Sequence, residues 1–458
     1  MKQIEIAYIG GGSRNWARFL MSDLGAQDKL CGRVRLYDID KEAAQNNARI
    51  GMMLNESPNV KTKWRYEAAD NLDSALKGSD FVVISILPGT FDEMETDVHL
   101  PEKYGIFQAV GDTVGPGGIM RALRTVPMYE VIARAIEKNC PAAWVINYTN
   151  PMSMCVRTLY EVFPRIKAFG CCHEVFRTQH LLTRVLFKER GIDGVDRHDL
   201  DTDVCGINHF TFITRALYKD TDLKELYKSF VDRHYEKGYN PDFPEDEYKR
   251  NVFQSANRIK FDLFRRYGEI AAAGDRHLAE FCPGAWYLSD AETIDKWRFA
   301  LTAVSYRKES LCGDLKKTDD ILSGKVNFDI FPTGEEGVAI ITALAGEGDI
   351  ITNINFPNAG QYADAPSGSI VETNMTVSRD KISIIKPVKL PDALNGIIMR
   401  NLYNQQAVVA AALNRDLNMA FGAFANDGLV AAIALNDAYS LFKDMCSATK
   451  KYLPGWNI

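Results

Sequence analysis

Three groups of residues have types and spacings that could do chemistry. The first is a glycine cluster, Gly10-Gly11-Gly12-Ser13, directly after the apolar run 4–9; Asn15 stands where a GxGxxG pattern has its third glycine. Glycines there let a backbone approach a pyrophosphate, and the helix N-terminus that comes next adds amides and a dipole. A second apolar run, 33–37, ends at Asp38, with Asp40 as an alternative. A carboxylate closing that strand can accept both ribose hydroxyls of NAD and would repel the extra phosphate of NADP. The same residues also fit a plain tight turn and surface aspartates. The second group pairs a thiol with an imidazole: Gly170-Cys171-Cys172-His173-Glu174 closes one apolar run, and Gly206-Ile207-Asn208-His209 comes later. A thiolate and an imidazole suit a borderline divalent metal. The spacing matches no zinc-finger pattern, however, and buried cysteines with a hydrogen-bonded core histidine explain it too. His173 and Glu174 equally suit polar neighbours of a sugar. The third group is a set of polar loops. Residues 111–118 hold Asp112 ahead of Arg121 and Arg124, and Asn147-Tyr148-Thr149-Asn150-Pro151 ends another apolar run. Asparagines there can hold sugar hydroxyls or a nicotinamide carboxamide. Residues 274–280 crowd together Asp275, Arg276, His277 and Glu280. Asp275 could serve as a base and Arg276 could grip an anion through its fork, although a surface loop can show such crowding by chance.

These residues need a scaffold. Apolar runs at 4–9, 33–37, 80–87, 142–147 and 166–171 alternate with helical spacing at 41–54, 121–138 and 151–163, with Pro127 interrupting the second helix. That alternation predicts a doubly wound parallel sheet of the Rossmann type over residues 1–198. The pattern changes after His198. Residues 203–217 alternate like an exposed antiparallel strand, 221–266 are charged and mostly helical around a turn-rich stretch at 238–246, 337–377 mix helix and strand, and 391–446 are a run of helices. Residues 199–458 thus read as an α+β domain supplying substrate, metal and oligomer contacts. The stretch 311–336 is the expected flexible surface loop.

Composition narrows the class. The chain has 458 residues, 46% hydrophobic and 25% charged, with net charge −6, and no basic block to hold nucleic acid. No stretch approaches the roughly 20 apolar residues of a membrane span. The start, MKQIEIAYIGGG, lacks the long apolar region and cleavage site of a signal peptide, so none is expected. Nine cysteines are sparse and odd in number, which argues for reduced thiols and a cytoplasmic location.

Taken together, IAYIGGGS, YDID, GDTVGPGGIMRALRTVP, NYTNPMSM, GCCHEVF, GINHFTFIT, GDRHLAEF and NFPNAGQ resemble, in order, glycoside hydrolase family 4, the NAD- and Mn-dependent glycosidases. The resemblance spans nearly the whole chain. Its Cys-His-Glu-Val form at 172–175 resembles the α-galacturonidase branch acting on uronic acids; the 6-phosphoglycosidase branch has a Cys-Asn start that this chain lacks. The resemblance places the metal on Cys172 and His209, with Cys171 directed away. It places sugar hydroxyls on Asn150, and Asp112 in the closing loop, where a carboxylate has been considered as the acid. For the base, Asp275 is the first candidate and Tyr267 the reserve. Gly10, Gly12, Ser13, Asp38 and Asn147 are the expected cofactor contacts, with Arg14 near the NAD phosphates. His173 and Arg276 are the expected substrate contacts.

The resemblance also implies a redox route rather than two flanking carboxylates. NAD⁺ takes hydride from C3, a metal polarises the ketone, a base removes the C2 proton, the C1 group leaves, water adds and hydride returns. Mn²⁺ is the expected ion, with Co²⁺, Ni²⁺ or Fe²⁺ tolerated by a thiolate ligand. The substrate implied is a small-molecule α-galacturonide, with an α-glucuronide differing only at C4 as the alternative. An NAD-dependent 2-hydroxy acid or sugar dehydrogenase is the reading from a second class, and an NAD-sensing protein that needs neither Cys172 nor His209 the third. The family implies a homodimer or homotetramer.

Overall fold

The structure, a computed structural model, describes residues 1–244 and 246–458. Six strands, β1 (Lys2–Ile9), β2 (Leu30–Tyr37), β3 (Trp64–Ala68), β4 (Phe81–Ile84), β5 (Trp144–Asn147) and β6 (Lys167–Gly170), lie parallel in the order 3-2-1-4-5-6. The segments FVVI and WVIN are buried throughout. Continuous apolar runs suit such strands because helices cover both faces of a parallel sheet. One core packs Ile4, Ile6, Leu20 and Leu36 on one face; another packs Ala7, Ile9, Val82 and Ile132 on the other. The order reverses between β1 and β4, which opens a crevice at the carboxyl ends where the glycine turn sits.

The sheet does not stop at residue 198. Strands β7 (Asp201–Ile207), β8 (Phe210–Tyr218), β9 (Thr221–Asp222), β10 (Ile270–Ala271), β11 (Ile350–Pro357), β12 (Ile370–Ser378) and β13 (Lys381–Ile384) extend it with antiparallel pairing. Thirteen strands among the described residues make one sheet, joined across its middle where β11 meets β6 through the pair Asn355 and Gly170. The 203–217 stretch is a hairpin rather than one exposed strand. Its alternation sorts residues between two cores: Cys205, Ile207, Phe210 and Phe212 face one, and Val204, Ile213 and Ala216 the other.

Two other expectations fail. Pro127 does not interrupt its helix, which runs unbroken over Gly115–Asn139. Burial of most of its first half outweighs one missing amide. The stretch 311–336 is not a loose loop. Its first twelve residues belong to the helix Val304–Leu322, whose largely exposed surface hid any apolar stripe in the sequence. Beyond Leu322 the chain forms a strap tied to the helix Trp16–Ala26 and to the turn before β3. Ser22 Oγ donates to the Phe331 carbonyl at 2.8 Å, Thr333 donates to Asp23 at 2.7 Å, and Asn59 donates to Asp329 at 2.6 Å. The turn-rich stretch 238–246 includes Glu245, which lies outside the described residues. Among the described residues no helix is long and apolar enough to cross a membrane.

The long helix after the Asp112 loop is pinned by a buried ion pair. Arg124 grips Asp97 with two bonds of 2.9 and 2.5 Å, both side chains 1% exposed. Removing one partner strands the other charge in a dry interior, which costs about 3–5 kcal/mol. Asp97→Ala should therefore lower the urea unfolding midpoint far more than a surface control such as Asp193→Ala, and equal midpoints would show that the pair is dispensable.

Candidate active site

One cleft gathers residues from the carboxyl ends of β5 and β6, from the β7–β8 turn and from the helix Asp275–Phe281. Asp112, Asn150, Cys172, His173, Glu174, His209, Asp275 and Arg276 all line it. Trp16, Arg177, Phe253, His277 and Arg307 join them. Cys171 also reaches the lining, against the expectation that it points away, while packing in the core with Trp144 and Phe169.

The centre is a donor cluster. Ligand atoms of Asp112, His209 and His277 lie within 4.8 Å of one another, and the two imidazoles stack at 4.1 Å. Thr113 orients this group: its hydroxyl donates to Asp112 Oδ1 at 2.8 Å and lies 3.1 Å from His209 Nδ1. A hydroxyl has one proton. Given to Asp112, it leaves the Thr113 oxygen to accept from Nδ1–H, so the His209 lone pair sits on Nε2. That is the tautomer a metal ligand needs. Burial lowers the pKa of His209, and burial together with the neighbouring His209 ring pushes His277 down to about 3, so both rings are neutral near pH 7. Burial alone would raise the Asp112 carboxyl. At the low pH where a carboxyl titrates, the charged His277 ring, the Arg121 guanidinium, the charged His209 ring and the Thr113 hydroxyl outweigh burial and hold Asp112 below its usual range.

Two carboxyls go the other way. Burial raises Asp275 to about 6, and its Oδ1 accepts the Lys260 amide at 3.1 Å. Burial raises Glu280 to about 8 while its Oε1 accepts the amides of Val110 and Gly111 at 2.7 and 2.9 Å. Glu280 thereby holds the loop that carries Asp112. Three buried polar atoms on cleft-lining residues have no partner: Asn150 Oδ1, Asp275 Oδ2 and His277 Nδ1. Native interiors seldom leave such groups unmet, so their convergence on one cleft marks where a ligand belongs.

Two models of known families match this chain, Family 4 glycosyl hydrolase over residues 5–188 and Family 4 glycosyl hydrolase C-terminal domain over residues 204–430. The chain belongs to family 4 of the glycosyl hydrolases. It is 57% identical over 455 residues to the alpha-galacturonidase of Thermoanaerobacterium saccharolyticum, covering 99% of this chain and 97% of that one. The crystal structure of lplD from Bacillus subtilis superposes with a TM-score of 0.92 at 48% identity, covering 97% of this chain and 100% of that one. A 6-phospho-alpha-glucosidase from gut microorganisms, solved with NAD and Mn²⁺, shares the fold at 19% identity with a TM-score of 0.80, each chain covered in full.

The family 4 glycine turn is tightly built. A Cβ on Gly10, where φ is +90°, would lie 1.9 Å from the Ser85 carbonyl, so no side chain fits at that crossing. Asp38 sits beneath the turn, accepting the Gly12 amide at 2.9 Å and the Asp40 amide at 3.0 Å. Ser13 Oγ accepts the Trp16 amide at 3.1 Å and opens the next helix. A second cavity beside this turn is lined by Gly12, Arg14, Arg18, Asp40 and Thr318; Asp40, the alternative acidic residue, faces it more directly than Asp38.

Two expected site residues do not line the cleft. Tyr267 ends the helix Arg258–Tyr267 and packs against a separate core, beside Cys282 and Asp262 and outside the cleft. Asn147 is fully buried: its Oδ1 accepts from the Tyr129 hydroxyl and its Nδ2 donates to the Thr149 carbonyl at 3.0 Å, so it shapes the strand end and does not line the cleft. His173 lines the cleft but is already held, 2.9 Å from Glu335 and stacked on Trp16 at 6.0 Å. Burial opposes its protonation, but Glu335 outweighs burial and raises its pKa. Sequence reasoning missed His277, Trp16, Arg177 and Arg307 as site residues. His277 stood inside the crowded 274–280 loop, but its partner His209 is distant in sequence and only the fold brings them together.

Glu280→Ala would orphan two buried amides, at about 1–3 kcal/mol each. Deuterium uptake by peptides spanning 106–112 should accelerate at least about tenfold in that variant, and Glu280→Gln, which keeps the accepting oxygen, should stay near wild type. Unchanged uptake in the alanine variant would show that the loop is held by something else.

Proposed function

We propose that this family 4 chain is an NAD- and Mn²⁺-dependent α-galacturonidase. The observation that carries the reading is a single cleft in which neutral imidazoles and a thiol face guanidinium groups, donors for a divalent ion and for a sugar carboxylate. The 57% identity to an alpha-galacturonidase, over nearly all of both chains, supports the substrate. An α-glucuronide is the competing substrate, differing at one epimeric hydroxyl.

The residues present fit both cofactors. Cys172 and His209 would hold the ion, with the unpartnered His277 Nδ1 and the Asp112 carboxylate close by. The turn Gly10–Ser13, with Asp38, Asp40 and Arg14 around it, would hold the dinucleotide. When bound, NAD supplies a reversible hydride acceptor and the ion a Lewis acid for the sugar's C2 and C3 oxygens. Asp275 is the group we assign as base for the C2 proton: its Oδ2 is unpartnered, and a pKa of about 6 leaves it ionised at neutral pH yet close to proton-transfer range. Asp112, held ionised, accepts from Asn150 Nδ2 at 3.2 Å and orients that amide. This suits a positioning carboxylate better than the proton donor the resemblance suggested. Asn150 keeps Oδ1 free for a sugar hydroxyl. Arg276 is the first candidate for the substrate carboxylate, which is costly to bury without a partner.

We divide the chain into a 1–198 dinucleotide domain and a 199–458 domain, and read it as a cytoplasmic homodimer or homotetramer. All nine cysteines are free, in keeping with a thiol ligand that needs reducing conditions.

The test is an assay of aryl α-galacturonide, α-glucuronide and α-galactoside with NAD⁺, Mn²⁺ and thiol present. The galacturonide should be hydrolysed fastest, and only with both cofactors; in D₂O the product should carry deuterium at C2. Cys172→Ser and His209→Ala should each lose at least about 100-fold in activity, more than the 10–100-fold typical of outer-shell partners, while NAD⁺ binding followed by fluorescence persists. Turnover that survives chelation, or unlabelled product, would overturn the mechanism; preference for another glycoside would overturn the substrate.

A further inference from the structure

Arg307 stands on the first turn of the helix Val304–Leu322 and lines the cleft half-buried. It makes no hydrogen bond or ion pair among the described residues. Its neighbours are all engaged. Lys308 pairs with Asp92 at 2.8 Å and Glu95 at 2.5 Å. Arg276 donates to the Thr302 hydroxyl, lies over the Phe253 ring at 4.9 Å and has Glu174 as its strongest counter-charge. Arg177 donates to the Phe253 carbonyl at 3.4 Å. Arg307 is close enough to Arg276, and to the buried Arg121, to oppose the charge on each. Arg307 alone has no partner of its own, and an anion seated between it and Arg276 answers its charge and eases the repulsion between the two guanidinium groups. The placement is rigid. The Val304 amide donates to His99 Nε2 at 3.2 Å and the Thr302 amide to the Ala109 carbonyl at 3.0 Å, so this turn is tied to the loop that carries Asp112.

We infer that Arg307 is a specificity-determining residue that joins Arg276 in a two-guanidinium clamp on the C6 carboxylate of the sugar, and so separates a uronide from a neutral hexoside. The inference rests on the α-galacturonidase reading. A planar fork holds a carboxylate through two parallel bonds, which lysine cannot reproduce. A sugar 6-phosphate would offer a related anion, so the experiment compares the two.

Aryl α-galacturonide and aryl α-galactoside are assayed on wild type, Arg307→Gln and Arg307→Lys, and galacturonate, galactose and galactose 6-phosphate are titrated calorimetrically into each protein with NAD⁺ and Mn²⁺ present. Arg307→Gln should lower kcat/KM on the galacturonide about 10–100-fold, chiefly through KM, and weaken galacturonate binding alike, while the galactoside falls by less than about threefold. Arg307→Lys should lie between. Thermal midpoints near wild type separate this from a folding defect. A wild type that prefers the uronide, with variants that lose both substrates equally or neither, overturns the clamp and leaves the galacturonidase reading standing. Wild-type galactose 6-phosphate binding tighter than galacturonate also overturns it. A wild type without any preference for the uronide overturns both readings.

Discussion

One buried carboxylate holds together the segments on which the site depends. Glu372, 1% exposed on β12, accepts from Asn353 Nδ2 at 2.7 Å and from Asn208 Nδ2 at 3.2 Å. The same Asn353 amide reaches the Cys172 carbonyl at 3.3 Å. Glu372 therefore links β12, β11, the β7–β8 turn and the exit of β6. This is the seam where parallel pairing gives way to antiparallel pairing, and where the β11–β6 ladder supplies only the Asn355–Gly170 pair. A carboxylate taken out of water must be met by donors, and the donors here come from the two segments that bring Cys172 and His209 to the cleft. Polar chemistry does at this seam what backbone pairing does elsewhere in the sheet.

Desolvation then sorts the titratable groups of the cleft. Burial opposes charge on every one of them, yet the carboxyls end on opposite sides of their usual range. Asp112 and Glu174 face imidazoles and arginines and stay low; Asp275 and Glu280 lack enough countercharge and rise. Environments that push similar groups apart let one fold keep a charged orienting carboxylate beside another that exchanges protons near neutrality. The His209 and His277 imidazoles, driven towards the neutral form, become better ligands by the same burial.

Local patterns in the chain made the nucleotide half legible. The run IEIAYI, the glycines behind it and Asp38 announce strand, turn and strand end, and parallel strands buried on both faces have the continuous apolar signature that a sequence shows plainly. Cys172, His209, Asn150, Asp275 and Arg276 were visible because each closes an element or sits in a crowded polar loop. The misses have a shared cause. Tyr267 and Asn147 are of suitable type, but the direction of a helix end and the demands of a neighbouring hydroxyl decide where they act. His277 and Arg307 gain meaning only from partners distant in the chain. The helix Val304–Leu322 is mostly wet, so its sequence carries almost no periodic stripe.

That wet helix is also the element that borders both cavities. Its first turn brings Arg307 to the cleft, and its last turns bring Thr318 to the cavity beside the glycine turn, where Arg18 donates to Thr318 Oγ1 at 2.6 Å. At about 1.5 Å per residue, the two positions lie roughly 16 Å apart along one rigid rod. Asn15, just past the glycines, donates to Asp314 on the same helix at 3.3 Å, and the strap beyond it returns Glu335 to His173 in the cleft. A shift of the helix towards either site would move residues at both. The chain after residue 303 thus closes back over the first six strands, and the cleft and the cavity beside the glycine turn, though lined by different residues, are bordered by one helix.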